Sequence, residues 1–137
     1  MLLTDAKILP WEEPPRGYYL TAVKQKVLWE DKETGATTVL LRFPPGVADK
    51  VHSHPAANQH VYGIRGEIEG EDGERSRIEG IYAHFPKGEE HGGSKFTEES
   101  VFLFHWDGPP TPTPRQWSCQ RHLIALLFRH ERASHLP

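Results

Sequence analysis

The sequence predicts an all-β domain, a sandwich or barrel of short antiparallel strands, followed by a short C-terminal helix. Three observations carry this reading. Glycine and proline occur 12 times each beside 36% hydrophobic residues, a turn-rich composition closer to a β domain than to a helical bundle. Short runs rich in β-branched and aromatic residues recur between glycines at close intervals, as in sandwiches and barrels. Up to Pro114 no stretch repeats apolar residues at helical spacing. At 137 residues, one domain can bury a core without disulfide or metal staples.

Residues 1–17 are interrupted by proline and end in "EEPPRG", so they are read as an arm lying on the surface or on a partner subunit. The barrel is expected over residues 18–114. "YYLTAVKQKVLWED" and "ATTVLLRF" make a hairpin about "KETG", and "FPPGV" ends its second strand, because neither proline can donate to a sheet ladder. The stretch from Gln59 to Gly93 alternates short extended pieces with glycines. "ESVFLFHW" is a further strand, closed by the connector "DGPPTPTP", which cannot be a central strand. Residues 115–137 change texture. Leu123, Ile124, Leu127 and Phe128 fall at helical spacing with Ser118 as a possible cap, which predicts a helix packed on the barrel; a last strand through "HLIALLF" is the alternative.

The formal charge of −3 provides no basic field for a phosphate backbone, so nucleic acid is excluded as an expected partner. The opening residues do not pair a charged start with a long apolar run, and no stretch approaches the length of a bilayer span. The expectation is a soluble, cytoplasmic protein without a membrane partner. Cys119 is the single cysteine, so an internal disulfide and a thiolate-rich zinc site are both ruled out, and a metal must be held by nitrogen and oxygen.

The stretch "VHSHPAANQH", residues 51–60, concentrates imidazoles. If extended, it points His52 and His54 to one face, and after the turn "PAAN" Gln59 can return to that face from the next strand. A small metal site needs three or four donors around one point, so a distant residue must complete it, and His91 is the candidate. It ends "GIYAHFPKGEEH", in which Gly80, Pro86 and Gly88 set turns around a strand.

The first stretch reads Gly46, five residues, His-x-His, four residues, Gln59, six residues, Gly66. The second reads Gly80, five residues, Pro-x-Gly, two residues, His91. Together, in this order, they resemble the paired motifs of the cupin superfamily. The resemblance implies a cupin-type antiparallel β-barrel, also described as a double-stranded β-helix or jelly roll, holding one divalent metal ion. Carried over, the metal-binding and catalytic residues would be His52, His54, His91 and the position of Gln59. Gln59 stands where the family usually has glutamate, and Lys95 where it often has asparagine. Gln59 is therefore either a fourth ligand or a hydrogen-bond donor beside the ion, since an amide oxygen is a weak ligand for a transition metal.

Three neutral imidazoles and an amide leave the charge of the ion uncompensated, so the site should attract a small anionic substrate. The chain resembles three-histidine cupins that cleave β-diketones (acetylacetone dioxygenases) and also the cupin domains of anti-sigma regulators. The first resemblance implies a mononuclear iron(II) dioxygenase, with zinc, nickel or manganese as alternative ions; the second implies a zinc-holding sensor. A metal-dependent isomerase would use the same site. The family also implies a homodimer. Among the remaining candidates, strand alternation turns His60 away from Gln59, and His84 and His105 are read as hydrogen-bonded structural residues. Glu89 and Glu90 either orient a ring or belong to a solvated turn, and Trp29, Phe85, Phe104 and Trp106 are candidates for core or cavity wall. Cys119, His122, His130 and His135 lie beyond the motifs.

Overall fold

A computed structural model of the chain describes residues 1–15 and 22–114. The predicted C-terminal helix, with Cys119, His122, His130 and His135, lies outside the described residues, as do Tyr18–Thr21 at the start of the predicted first strand. Among the described residues the regular structure is all β. The ten strands are β1 (Lys24–Glu30), β2 (Thr37–Phe43), β3 (His52–Ser53), β4 (Gln59–Arg65), β5 (Glu67–Glu69), β6 (Arg75–Arg77), β7 (Tyr82–Phe85), β8 (Lys95–Phe96), β9 (Ser100–Trp106) and β10 (Thr113–Pro114).

They form a five-stranded sheet in the order β1-β2-β9-β4-β7, a three-stranded sheet β6-β5-β8 and a two-stranded ladder β10-β3, with every pairing antiparallel. The hairpin predicted about "KETG" joins β1 to β2. Its loop closes with the N–H of Gly35 donating to the Asp31 carbonyl and that of Asp31 to Ala36, each at 2.8 Å. The turn "FPPGV" follows β2, where Gly46 donates its N–H to the carbonyl of Phe96 at 2.8 Å. The connector "DGPPTPTP" ends in β10, two residues pairing only with β3, which agrees with its exclusion from a central position.

One face of the five-stranded sheet supplies Val39, Leu41, Phe43, Phe102, Phe104 and Trp106 to the core, and Ile68 and Phe96 of the three-stranded sheet close over them. Phe43 stacks on Phe96 at 4.2 Å between ring centroids, so the two sheets are joined by aromatic contact. The outer face carries Trp29, His60, Tyr62, Tyr82, His84 and His105. Trp29, expected in the core or cavity wall, is 39% exposed on this outer face. The cause is a register shift in β1 between Val27 and Trp29: Val27 opposes Val39, but Trp29 opposes Thr38, so the bulge reverses the alternation.

The N-terminal arm lies against the same outer face. Glu12 bridges Gln25 with both backbone hydrogen bonds made, at 2.8 and 2.9 Å. Trp11 is covered by Lys26 and Arg42, whose cationic groups sit 4.8 and 4.5 Å from its ring centre. Lys26 also donates to the carbonyl of Ala6 at 2.7 Å, which explains how a lysine only 9% exposed is satisfied.

Candidate metal centre

The expected strand through His52 and His54 is shorter than the spacing suggests. β3 ends at Ser53, and His54 begins the turn that leads to β4. The convergence comes from tertiary pairing instead. His52 and His91 oppose one another in an isolated antiparallel bridge, each donating its N–H to the other's carbonyl at 2.9 Å. Directly opposed residues present side chains to the same face, so the two motifs meet backbone to backbone. The turn after His54 is held by Asn58. Its backbone and side-chain N–H groups donate to the Asp107 carboxylate at 2.8 and 2.7 Å, and its side-chain oxygen accepts from Lys87 N–H at 3.1 Å. Those donors also hold the Asp107 carboxyl below the ordinary carboxylate range.

The rings of His52, His54 and His91 lie 4.5–5.1 Å apart between centroids, and their ligating atoms are all within 4.8 Å of one another. Each Nδ1 faces a backbone carbonyl: Lys50 for His52 at 2.6 Å, Pro110 for His54 at 2.8 Å, Glu89 for His91 at 3.0 Å. A carbonyl only accepts, so each Nδ1 carries its proton and each Nε2 keeps its lone pair. Three acceptors facing one another repel unless a cation sits among them. The Nε2 of His54 is moreover a buried polar atom without a hydrogen-bond partner, a costly arrangement that a divalent ion relieves. The residues fit a nitrogen-preferring metal ion.

Burial, then electrostatic repulsion from the adjacent His52 ring, which opposes a second proton in the cluster, lowers the pKa of both His54 and His91 to about 4. Both rings are therefore neutral and ready to ligate at neutral pH. In an unfolded chain they would titrate near 6.5, so between that pH and about 4 the unfolded state binds more protons. Stability of the metal-free protein is thus full above the unfolded value and is lost as pH falls through this window. We expect its Tm to drop by roughly 5–10 °C more than that of a His54→Gln/His91→Gln variant over the window. Parallel Tm profiles for the two proteins would show that the rings are not buried as neutral acceptors.

Gln59 opens β4 and is 3% exposed. Its Oε1 accepts the indole N–H of Trp106 at 2.8 Å, and its Nε2 lies 3.1 Å from Nε2 of His91. Phe85 stacks on His91 at 4.4 Å, and Trp106 packs against His54 at 5.7 Å. A cavity of about 260 Å³ is lined by Trp106, Val27, Thr37, Val39 and Pro110 among others. None of the three histidines lines it, but it shares Trp106 and Pro110 with the site.

His60 points to the outer face, where its Nδ1 is 2.8 Å from the Tyr82 hydroxyl and its ring stacks on His84 at 4.7 Å. His105 joins that row and meets the hydroxyl of Thr38 at 2.9 Å, so His84 and His105 are kept away from the cavity. Lys95 is exposed, and Glu89 contributes its backbone carbonyl to His91. Two participants escaped the sequence reading, while Trp106, expected in the core or cavity wall, is a wall of the site that also holds the Gln59 amide. Pro110 acts from 56 positions beyond His54, with no local signal. Asp49, whose Oδ1 lies 3.7 Å from Nδ1 of His52, was marked only by its position three residues upstream. Burial raises its pKa.

Among the described residues, no helix is long and apolar enough to cross a membrane. A family model described as the ChrR Cupin-like domain matches residues 1–111. No curated protein sequence matches the chain. Solved structures do. A protein of Methylibium petroleiphilum PM1, proposed to be an acetylacetone dioxygenase, superimposes with a TM-score of 0.67 at 18% identity, over 85% of this chain and 81% of that one. An acetylacetone dioxygenase from Acinetobacter johnsonii gives 0.59 at 18% identity, over 79% and 73%. The DMSP lyase DddQ of Ruegeria pomeroyi DSS-3 gives 0.55 at 18% identity, over 80% and 61%. At these identities the likeness is one of fold.

Proposed function

From the premise that this chain is a metal-binding cupin belonging to the ChrR cupin-like domain family, we propose that it is a mononuclear iron(II) dioxygenase. Its substrate would be a small bidentate oxygenated anion of the β-diketone or hydroxy/keto acid class. The observation that carries the reading is the donor set: three neutral imidazoles, joined by no carboxylate among the described residues. Such a set leaves two positive charges to be met by the substrate, and it leaves room for a bidentate ligand. Iron(II) held there would supply Lewis acidity and one-electron chemistry toward the substrate and dioxygen.

The protein's own residues do the rest. The carbonyls of Lys50, Pro110 and Glu89 fix the ring orientations, so the three Nε2 atoms are arranged in advance of binding. Phe85 and Trp106 give the site aromatic walls that exclude water and suit an apolar substrate body. Two of the similar structures bear the name acetylacetone dioxygenase, which supports this chemistry, whereas the lyase among them supports a reaction without oxygen.

The experiment is oxygen uptake by the protein loaded anaerobically with iron(II), offered β-diketones and α-hydroxy or α-keto acids. Uptake that requires iron, substrate and His91 together is the expected result, with His91→Ala and a zinc-loaded sample silent. Substrate conversion without oxygen would turn the reading to a lyase or isomerase. No conversion, with zinc tightly held, would turn it to the regulatory module, for which three braced imidazoles are an equally good zinc site.

A further inference from the structure

We propose that Trp106 sets Gln59 as a hydrogen-bond donor toward the acceptor atom of an anion held at the histidine centre, and that Gln59 does not give its oxygen to the ion. The inference rests on the reading that His52, His54 and His91 hold a divalent cation.

The indole N–H of Trp106 donates and cannot accept, so the atom 2.8 Å from it must be the amide oxygen of Gln59. The amide nitrogen is then the end directed at the histidines, 3.1 Å from Nε2 of His91. That Nε2 bears a lone pair, because Nδ1 of the same ring gives its proton to the carbonyl of Glu89. Turning the amide over would set an N–H against the indole N–H in a residue 3% exposed, leaving buried donors unpaired.

The backbone holds this arrangement. Gln59 directly opposes Trp106 on β9 and Phe85 on β7, so the three side chains form one inward row across three strands. Each member of the row touches a ligand ring: Trp106 meets His54, while Gln59 and Phe85 meet His91. The buried amide is held at its oxygen by Trp106 and has one N–H already aimed into the site.

Loading the ion changes the balance. An ion among the three Nε2 atoms takes the lone pair of His91 and leaves the amide N–H without its acceptor. A buried donor left unpaired is unfavourable, and an anion seated beside the ion supplies the replacement. The donor thus favours ligands that present a charged oxygen, carboxylate or enolate, and it couples anion binding to ion binding. Trp106 is the positioning residue, acting through Gln59.

The test uses cobalt(II) as a spectroscopic ion and acetate as the anion, with visible absorption reporting both titrations. Gln59→Leu is expected to keep cobalt affinity within about threefold while lowering acetate affinity roughly 10- to 100-fold, the range for a hydrogen bond to a charged group. Trp106→Phe keeps Gln59 in place and releases its oxygen; acetate affinity should fall and cobalt affinity should rise, a pair of opposite changes that a packing defect would not produce. A tenfold loss of cobalt affinity in Gln59→Leu would make Gln59 a ligand and overturn the proposal. Unchanged acetate affinity in both variants would overturn it as well. If the unmodified protein fails to bind cobalt, the metal-site reading falls first, and that result is visible before any variant is made.

Discussion

His91→Ala is expected to lower affinity for a divalent transition metal by more than about 100-fold, with His52→Ala close behind and His84→Ala unchanged. The two motifs meet at the His52–His91 bridge, whose backbone hydrogen bonds do not depend on either ring, so the alanine variant should still fold. What disappears is one of three donors within 4.8 Å of one another, together with the ring stacked on Phe85. Two imidazoles then remain, with water to complete coordination. His84 tests the alternative that any clustered histidine retains metal, since it belongs to the outer row with His60 and His105. Metal content after gel filtration, measured with the Tm of each variant, gives the answer. Equal metal in all three variants would remove the site from the inner face.

Gly66→Ala is expected to destabilise the fold by roughly 3 kcal/mol or more, a Tm loss of roughly 10 °C. Gly66 is the last glycine of the first motif, placed where the chain leaves β4 for β5. Its φ is +129°, and a Cβ there would overlap the Ser100 hydroxyl and lie 2.7 Å from Ser100 Cα. Ser100 is fully buried at the start of β9, so nothing can give way without moving a central strand. Gly80→Ala is the control. Its φ of +77° is also unfavourable for alanine, but no atom lies within 4 Å of the added carbon, so the cost should be about 1 kcal/mol. Similar losses in the two variants would mean that backbone conformation, not close approach, accounts for the first glycine.

The contrast between these glycines shows why the motif was legible and its purpose was not. Glycine spacing and the placement of histidines are written locally, and the hairpin about Asp31–Gly35, the strand at Ser100–Trp106 and the outward turn of His60 were read from such local features. The prediction that Trp29 lines the interior failed for an equally local cause that left no mark: one bulge residue in β1 reverses the alternation, and no composition distinguishes it.

By itself, then, the sequence determined the fold class, the turn positions and the histidines at 52, 54 and 91, because side-chain alternation and the special backbone of glycine and proline act within a few residues. Tertiary structure alone decided what those residues can do. The carbonyl that sets the His54 tautomer comes from 56 positions away, and the indole that orients the amide of Gln59 from 47. Whether Gln59 offers an oxygen or an N–H to the site is decided by which hydrogen-bonding atom stands behind it, and that atom is brought there by the register of β9 against β4.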